Sequence, residues 1–294
     1  MNYMKHFFSL ITLMSALYVG HGQKVTGKLK FEQGQQVDIK TEVKTTISQE
    51  AMGQVIDFNV DGIAHHFYKV TNATDDNSTL HHETSRIQFN FEGMGQKRPF
   101  DSDKEKDQKS SEGKVIKELL KKTFDIIIDP AGKVLMVQPE KSAPVEMEGA
   151  MKLISSMMKD VVEVVEAPAK GTNGFFKILP DYETGKGDTW NENFENASGK
   201  FENTYTLKEI TDSTINIELA GTSVTTTKVE MMPGMEITTF LKNKTTGMII
   251  IDKLTGIVRQ KIVNTESTGT TQGMGGETPI NSKTSITITV SPVK

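Results

Sequence analysis

Cysteine is absent from all 294 residues, which excludes disulfides, thiolate chemistry and a lipid anchor attached through cysteine. Tryptophan occurs once and histidine six times, so imidazole metal centres have little material to draw on. Positive charge is neither abundant nor clustered. Thirty-four Lys and Arg stand against 38 Asp and Glu, for a net charge of −4, and no basic face of the kind that phosphate neutralisation requires can be traced, so nucleic acid is not expected as a partner. Catalytic signatures are missing too. Serine-hydrolase elbows, zinc-helix motifs and phosphate loops do not occur; the Ser-x-x-Lys spacings at Ser156–Lys159 and Ser111–Lys114 lack their companion elements. Gly185-Lys186-Gly187 opens a strand rather than a helix, so it cannot aim a helix N-terminus at phosphate. No enzymatic activity, cofactor or metal is therefore expected.

One apolar run stands out. Lys5 precedes Phe7 to Val19, and the run ends in Gly20-His21-Gly22. It falls short of the roughly 20 residues that span a bilayer as a helix and reads as a secretory signal occupying residues 1–22, with cleavage near Gly22. The expected mature chain is periplasmic or secreted, is not a lipoprotein, and has no transmembrane segment after cleavage.

Beyond the signal, polar and apolar residues alternate with a period of two from Val37 to Ile47, Val55 to Val60, Ile63 to Val70 and Leu80 to Phe91. The habit returns at Thr204 to Ile210, Ile215 to Val229, Ile237 to Leu241, Met248 to Ile251, Ile257 to Val263 and Ser285 to Val290. Such segments are half-buried antiparallel strands, punctuated by turn residues such as Asp129-Pro130-Ala131-Gly132 and Thr255-Gly256. The Gly- and Thr-rich run from Ser267 to Thr278 reads as a flexible loop. The expected fold is mainly β: a large antiparallel curved sheet or open barrel of about a dozen strands from two similar halves, with one central amphipathic helix and one short helix. The first half covers 23–138, the helix and its linker 139–170, and the second half 171–294.

The similarity of the halves rests on a motif. Ile126-Ile127-Ile128-Asp129, then Gly132 and Val134, matches Ile249-Ile250-Ile251-Asp252, then Gly256 and Val258, while Gly93-Met94-Gly95 falls opposite Met232-Pro233-Gly234. Copy one carries an extra charged insert, 101–113, and a short helix at 112–122 bearing Val115, Ile116, Leu119 and Leu120, with Ser110 or Ser111 as its cap. Asp101, Asp103, Glu105, Asp107 and Glu112 have the spacing of a calcium loop, but Lys106 takes the place that needs glycine. A solvated, mobile insert is the expectation.

Between the halves, Met147, Met151, Ile154, Met157 or Met158, Val161 and Val165 recur at steps of three and four, forming one apolar helix face within Pro144 to Ala167. Thioether chains are flexible and polarizable, so this face either closes the core or lines a site for an apolar ligand. The histidines left after cleavage, His65, His66, His81 and His82, fall in one predicted hairpin. A turn at Asp75-Asp76 sets His66 against Ser85 and His81 against Val70, which keeps them apart and argues against a metal site.

The second half opens with Leu179-Pro180 and then Gly187-Asp188-Thr189-Trp190. This entry, the signal and the paired strand-turn-strand units resemble a family of secreted, uncharacterised proteins of Bacteroidetes-type bacteria. The resemblance implies an envelope location and supplies no activity and no catalytic residue. The architecture is also similar to the periplasmic lipoprotein-carrier half-barrel, whose concave face holds apolar chains. The expected function is accordingly non-enzymatic binding of a lipid or other hydrophobic ligand between the sheet and the helix. The alternative is a structural or protein-interaction component of the cell envelope without a small-molecule ligand.

Overall fold

The computed structural model describes residues 23–51, 54–139, 145, 147, 149–196, 198–232, 235–273 and 276–293. The expected signal, with Pro144 at the helix start and the turn 233–234, lies outside the described residues.

In chain order the elements are β1 (Lys24–Val25), β2 (Gln36–Ala51), β3 (Gln54–Ala73), β4 (Ser78–Gly93), β5 (Gln96–Asp101), α1 (Glu105–Gln108), α2 (Ser111–Leu120), β6 (Thr123–Ile128), β7 (Val134–Gln138), α3 (Gly149–Met157), α4 (Lys159–Val162) with a 3-10 turn at Glu163–Val165, β8 (Thr184–Gly185), β9 (Thr189–Asn196), β10 (Gly199–Ile210), β11 (Thr214–Met232), β12 (Met235–Asp252), β13 (Val258–Gly273) and β14 (Gly276–Val293). Among the described residues, twelve strands form one open antiparallel sheet in the order β7-β6-β4-β3-β2-β14-β13-β12-β11-β10-β9, with β5 on β4; β1 and β8 pair separately.

The order is nearly that of the chain, because most strands join through tight hairpins. The one long-range step sets β14 against β2, joining the two halves side by side from Val293↔Gln36 to Ile280↔Gln49. The described part of the run 267–278 is strand, not loop: 267–273 end β13 and 276–278 begin β14, paired from Gly269↔Ile280 to Gly273↔Gly276, while 274–275 lie outside the described residues. Its glycines interrupt the alternation that marks a strand in sequence, yet one of them is required by the sheet, since a Cβ on Gly269 would run into the Phe240 carbonyl of β12.

The period of two sends one set of side chains to an inner face. Along β2 it is Val37, Ile39, Thr41, Val43 and Thr45 that are buried, and along β12 it is Ile249 and Ile251 while Met248 is exposed. Two apolar clusters lie on this face. One, under the segment 25–31 and Phe175–Leu179, holds the buried isoleucines of both repeats. The other, under α2 to α4, gathers Val43, Val60, Ala64, Ile87 and Phe89.

The repeated motifs end in related turns, the second one residue longer: Gly132 N donates to the Asp129 carbonyl three residues back, Gly256 N to that of Asp252 four back. In each, a register shift falls at the third isoleucine, Ile128↔Val134 and Ile251↔Val258, and a glycine with positive φ follows, Gly132 at 89° and Gly256 at 73°. The segment after β1 threads between the two turns. Leu29 N donates to the Pro130 carbonyl at 2.7 Å and Lys30 N to that of Thr255 at 2.8 Å.

The charged insert is ordered, against expectation. Asp101 is buried because Arg86 donates to both its oxygens, at 3.1 and 2.7 Å, and Gln88 adds a third bond at 3.1 Å. The Arg86 guanidinium, with help from neighbouring donors, outweighs burial and holds the Asp101 carboxyl down at about 2. Ser110 caps α2, accepting from Gly113 N at 3.0 Å.

Candidate functional site

The methionine segment lies on the inner face as a broken helix, not a continuous one. Met158 departs from helical dihedrals, with φ −114° and ψ 36°, and serves as the start of α4. In a continuous helix successive residues point about 100° apart, so Met157 and Met158 would sit at the two margins of one apolar face. With the break, both are buried: Met157 is 6 % exposed and Met158 0 %. Met151, Ile154, Val161 and Val165 are buried beside them, and Met147 is half-buried at the same cluster. Gly62 of β3 makes the close approach possible, since a Cβ there would sit 3.2 Å from Met158 Cβ and 3.3 Å from Val161 Cγ2. The predicted residues thus come together on one surface, α4 against β2 and β3 and α3 reaching across to β11.

Near α4 one inward position of the sheet is charged. Lys261 of β13 pairs with Ile249 and Ile288, so it points inward. Burial lowers its pKa, opposed by Asp160 of α4 and Glu192 of β9. Glu192 is held by Tyr205 Oη at 3.0 Å and Asn173 Nδ2 at 2.8 Å.

At the seam between the two apolar clusters sit His66 and His82, which the sequence reading kept apart. The β3–β4 register does place His66 opposite Thr84 and His82 opposite Tyr68, after a bulge between His65 and His66. Diagonal neighbours on one face are nevertheless within reach of long side chains, and His66 Nδ1 lies 3.0 Å from His82 Nε2. Thr41 Oγ1 is 3.4 Å from His66 Nε2, and Phe124 stacks on His82. Burial lowers the two imidazoles to about 4 and about 3, so the pair is neutral near pH 7 and one ring donates to the other. His82 Nδ1 and Thr84 Oγ1 are buried without a hydrogen-bond partner. His81, on the outer face, lies between Asp125 at 2.6 Å and Glu83 at 3.0 Å.

Among the described residues, no group of three or more His, Cys, Asp or Glu is placed to hold a metal ion. A cavity of 340 Å³ opens beside the second repeat turn, between Val37, Asp252, Ile257 and Val290. A polar groove of 570 Å³ runs over Lys40, Glu42, His65 and Ser85. Neither is lined by the helix methionines.

Residues 75–258 match the model of a family of unknown function, DUF6263. The chain belongs to that family, since the match covers more than half of it. No curated protein matches. Among solved structures, lipovitellin, in a study of its lipid–protein interactions, is similar over 89 % of this chain and 26 % of its own, at 10 % identity and a TM-score of 0.46. The chain thus spans about a quarter of lipovitellin. An outer membrane channel from Pseudomonas putida F1 matches at 7 % identity and TM-score 0.26, over 90 % of this chain and 98 % of that one. DynF of the dynemicin biosynthesis pathway of Micromonospora chersina matches at 9 % and 0.22, over 92 % and 86 %. Scores at this level do not establish a common fold, and function has to be argued from the residues.

Proposed function

We propose that this is an exported, non-catalytic binding protein that takes an apolar ligand, such as the acyl chain of a lipid, between the inner face of its sheet and α3–α4. The observation behind this reading is the concentration of methionine where the helices meet the sheet, with Met151, Met157 and Met158 buried and Met147 half-buried at the margin. Unbranched thioether chains repack around a guest with little strain. The sheet's own ladder runs unbroken from β7 to β9 without passing through the helices. Lifting α3–α4 to admit a chain therefore leaves the strand pairing intact.

Organic extraction of the purified protein followed by mass spectrometry tests the proposal, together with uptake of a fluorescent fatty acid. Co-purifying lipid, or uptake that a Met158→Asp substitution abolishes, supports it. Repeated absence of both overturns it. One contact favours the rival reading, a structural or interaction protein of the envelope: the close fit of Met158 and Val161 on Gly62 is what a permanently closed core would use.

A further inference from the structure

Past the row Val43, Ile286, Val263, Gly247 and Leu219, the inner face of five adjacent strands carries no charged side chain. On β2 this face continues as Thr45, Ile47 and Gln49, and on the strands beyond it is mostly threonine, serine, asparagine and glycine. The outer face of the same strands is charged and ion-paired, with Lys228 to Glu236 at 3.0 Å and Lys283 to Glu266 at 3.1 Å. Thr45, Ser267 and Thr271 on the inner face are buried, which explains the lack of charge there, but Ser223, Asn243, Thr245 and Thr284 are only half-buried, and charge is absent at these too.

The inner groups form cross-strand pairs. Thr245 and Thr265 hydroxyls are 3.1 Å apart, Thr45 and Thr284 3.2 Å, and Asn243 Nδ2 donates to Ser223 at 2.9 Å and Thr225 at 3.1 Å. In each hydroxyl pair one O–H is consumed, which leaves the other O–H and several lone pairs for a guest; Asn243 keeps its amide oxygen. The row of Ser223 and Asn243 continues on β10 and β9 to Phe201 and Phe194, whose rings are stacked at 4.6 Å with 9° between planes. Phe194 is 44 % exposed at the sheet edge. Neighbouring strands are about 4.8 Å apart, so the row from Phe201 across to β2 is about 24 Å long.

We infer that this concave face binds a neutral oligosaccharide. Sugar hydroxyls both donate and accept, matching side chains that do the same, and the apolar C–H face of a pyranose suits an exposed aromatic ring at the end of the row. On the five strands a charged polymer would find no counter-charge, Glu192 at the β9 border being already held by Tyr205 and Asn173, and a protein strand would find few pockets for its side chains.

The test is titration calorimetry of the full chain with cellohexaose, maltohexaose, xylohexaose and mannohexaose. At least one should bind in the millimolar range or tighter. Phe194→Ala should weaken that binding at least tenfold, and Asn243→Ala should weaken it independently. Phe240→Ala, also 44 % exposed but on the outer face, should leave it unchanged. Failure of all four sugars to bind overturns the inference, as does binding that persists in both inner-face variants when circular dichroism shows them folded. Lipid extraction reads a separate property, so either result can fail alone.

Discussion

The two halves of the inner face solve the same problem in opposite ways. In the first half, β2 to β4 bury Val43, Val60, Ala64 and Ile87 under a layer of helix. In the second half, where α3 reaches β11, the far ends of β11 to β14 contribute only Ile286 to that cluster among the described residues, and the inward positions turn to hydroxyls. The difference shows that what decides the chemistry of a strand's inner side is what covers it. The same antiparallel ladder supports an apolar core where helices lie over it and a hydrogen-bonding surface where they do not.

That comparison can be broken by mutation. Met158→Ala under the helical roof should lower unfolding stability by about 2–5 kcal/mol, because it removes contacts and leaves a cavity, whereas Thr265→Ala in the open half should cost about 1 kcal/mol or less. Equal losses in urea denaturation would mean that the open half is as tightly packed as the roofed one. Acid should act next most strongly, through the seam. His66 and His82 bind protons more weakly in the fold, at about 4 and about 3, than in the unfolded chain near 6.5. Their contribution is complete above pH 6.5 and is lost by several kcal/mol in total as pH falls toward 3. A melting temperature flat from pH 7 to 4, or an unchanged slope in His66→Leu, would show the pair to be solvated. Ser110→Ala should cost about 1 kcal/mol by uncapping α2, seen as a lowered denaturation midpoint. Phe194→Ala, at the open edge, should change stability by less than about 0.5 kcal/mol, leaving its effect on binding uncontaminated.

Much of this was legible in the sequence, for stated reasons. Strands with clean alternation, such as Val37 to Ile47 and Ile215 to Val229, lie inside β2 and β11, and the Ile-Ile-Ile-Asp repeat marks two turns that each carry a bulge and a positive-φ glycine. The methionine positions lie together on the inner face. What was illegible depended on neighbours. Glycines between Ser267 and Thr278 look like loop until the closeness of β12 explains Gly269. The ordering of the insert around Asp101 required knowing that Arg86 stands opposite. The meeting of His66 and His82 came from a diagonal contact that pairwise register counting omits. The break at Met158, read as mid-helix, is invisible to periodicity because Met157 and Met158 are chemically alike.

The pairing of β14 with β2 also bears on how the chain reaches its native state. Its partners lie more than 200 positions apart, from Ile280 with Gln49 to Val293 with Gln36. Contacts so distant carry a large loop-closure cost before they return any stability. The two half-sheets can each zip up hairpin by hairpin, but until β14 exists neither has an edge joined to the other. Completion of the sheet is therefore the slow, terminal event, and a chain halted before Gly276 would hold two separate ribbons with unpaired edges open to other molecules.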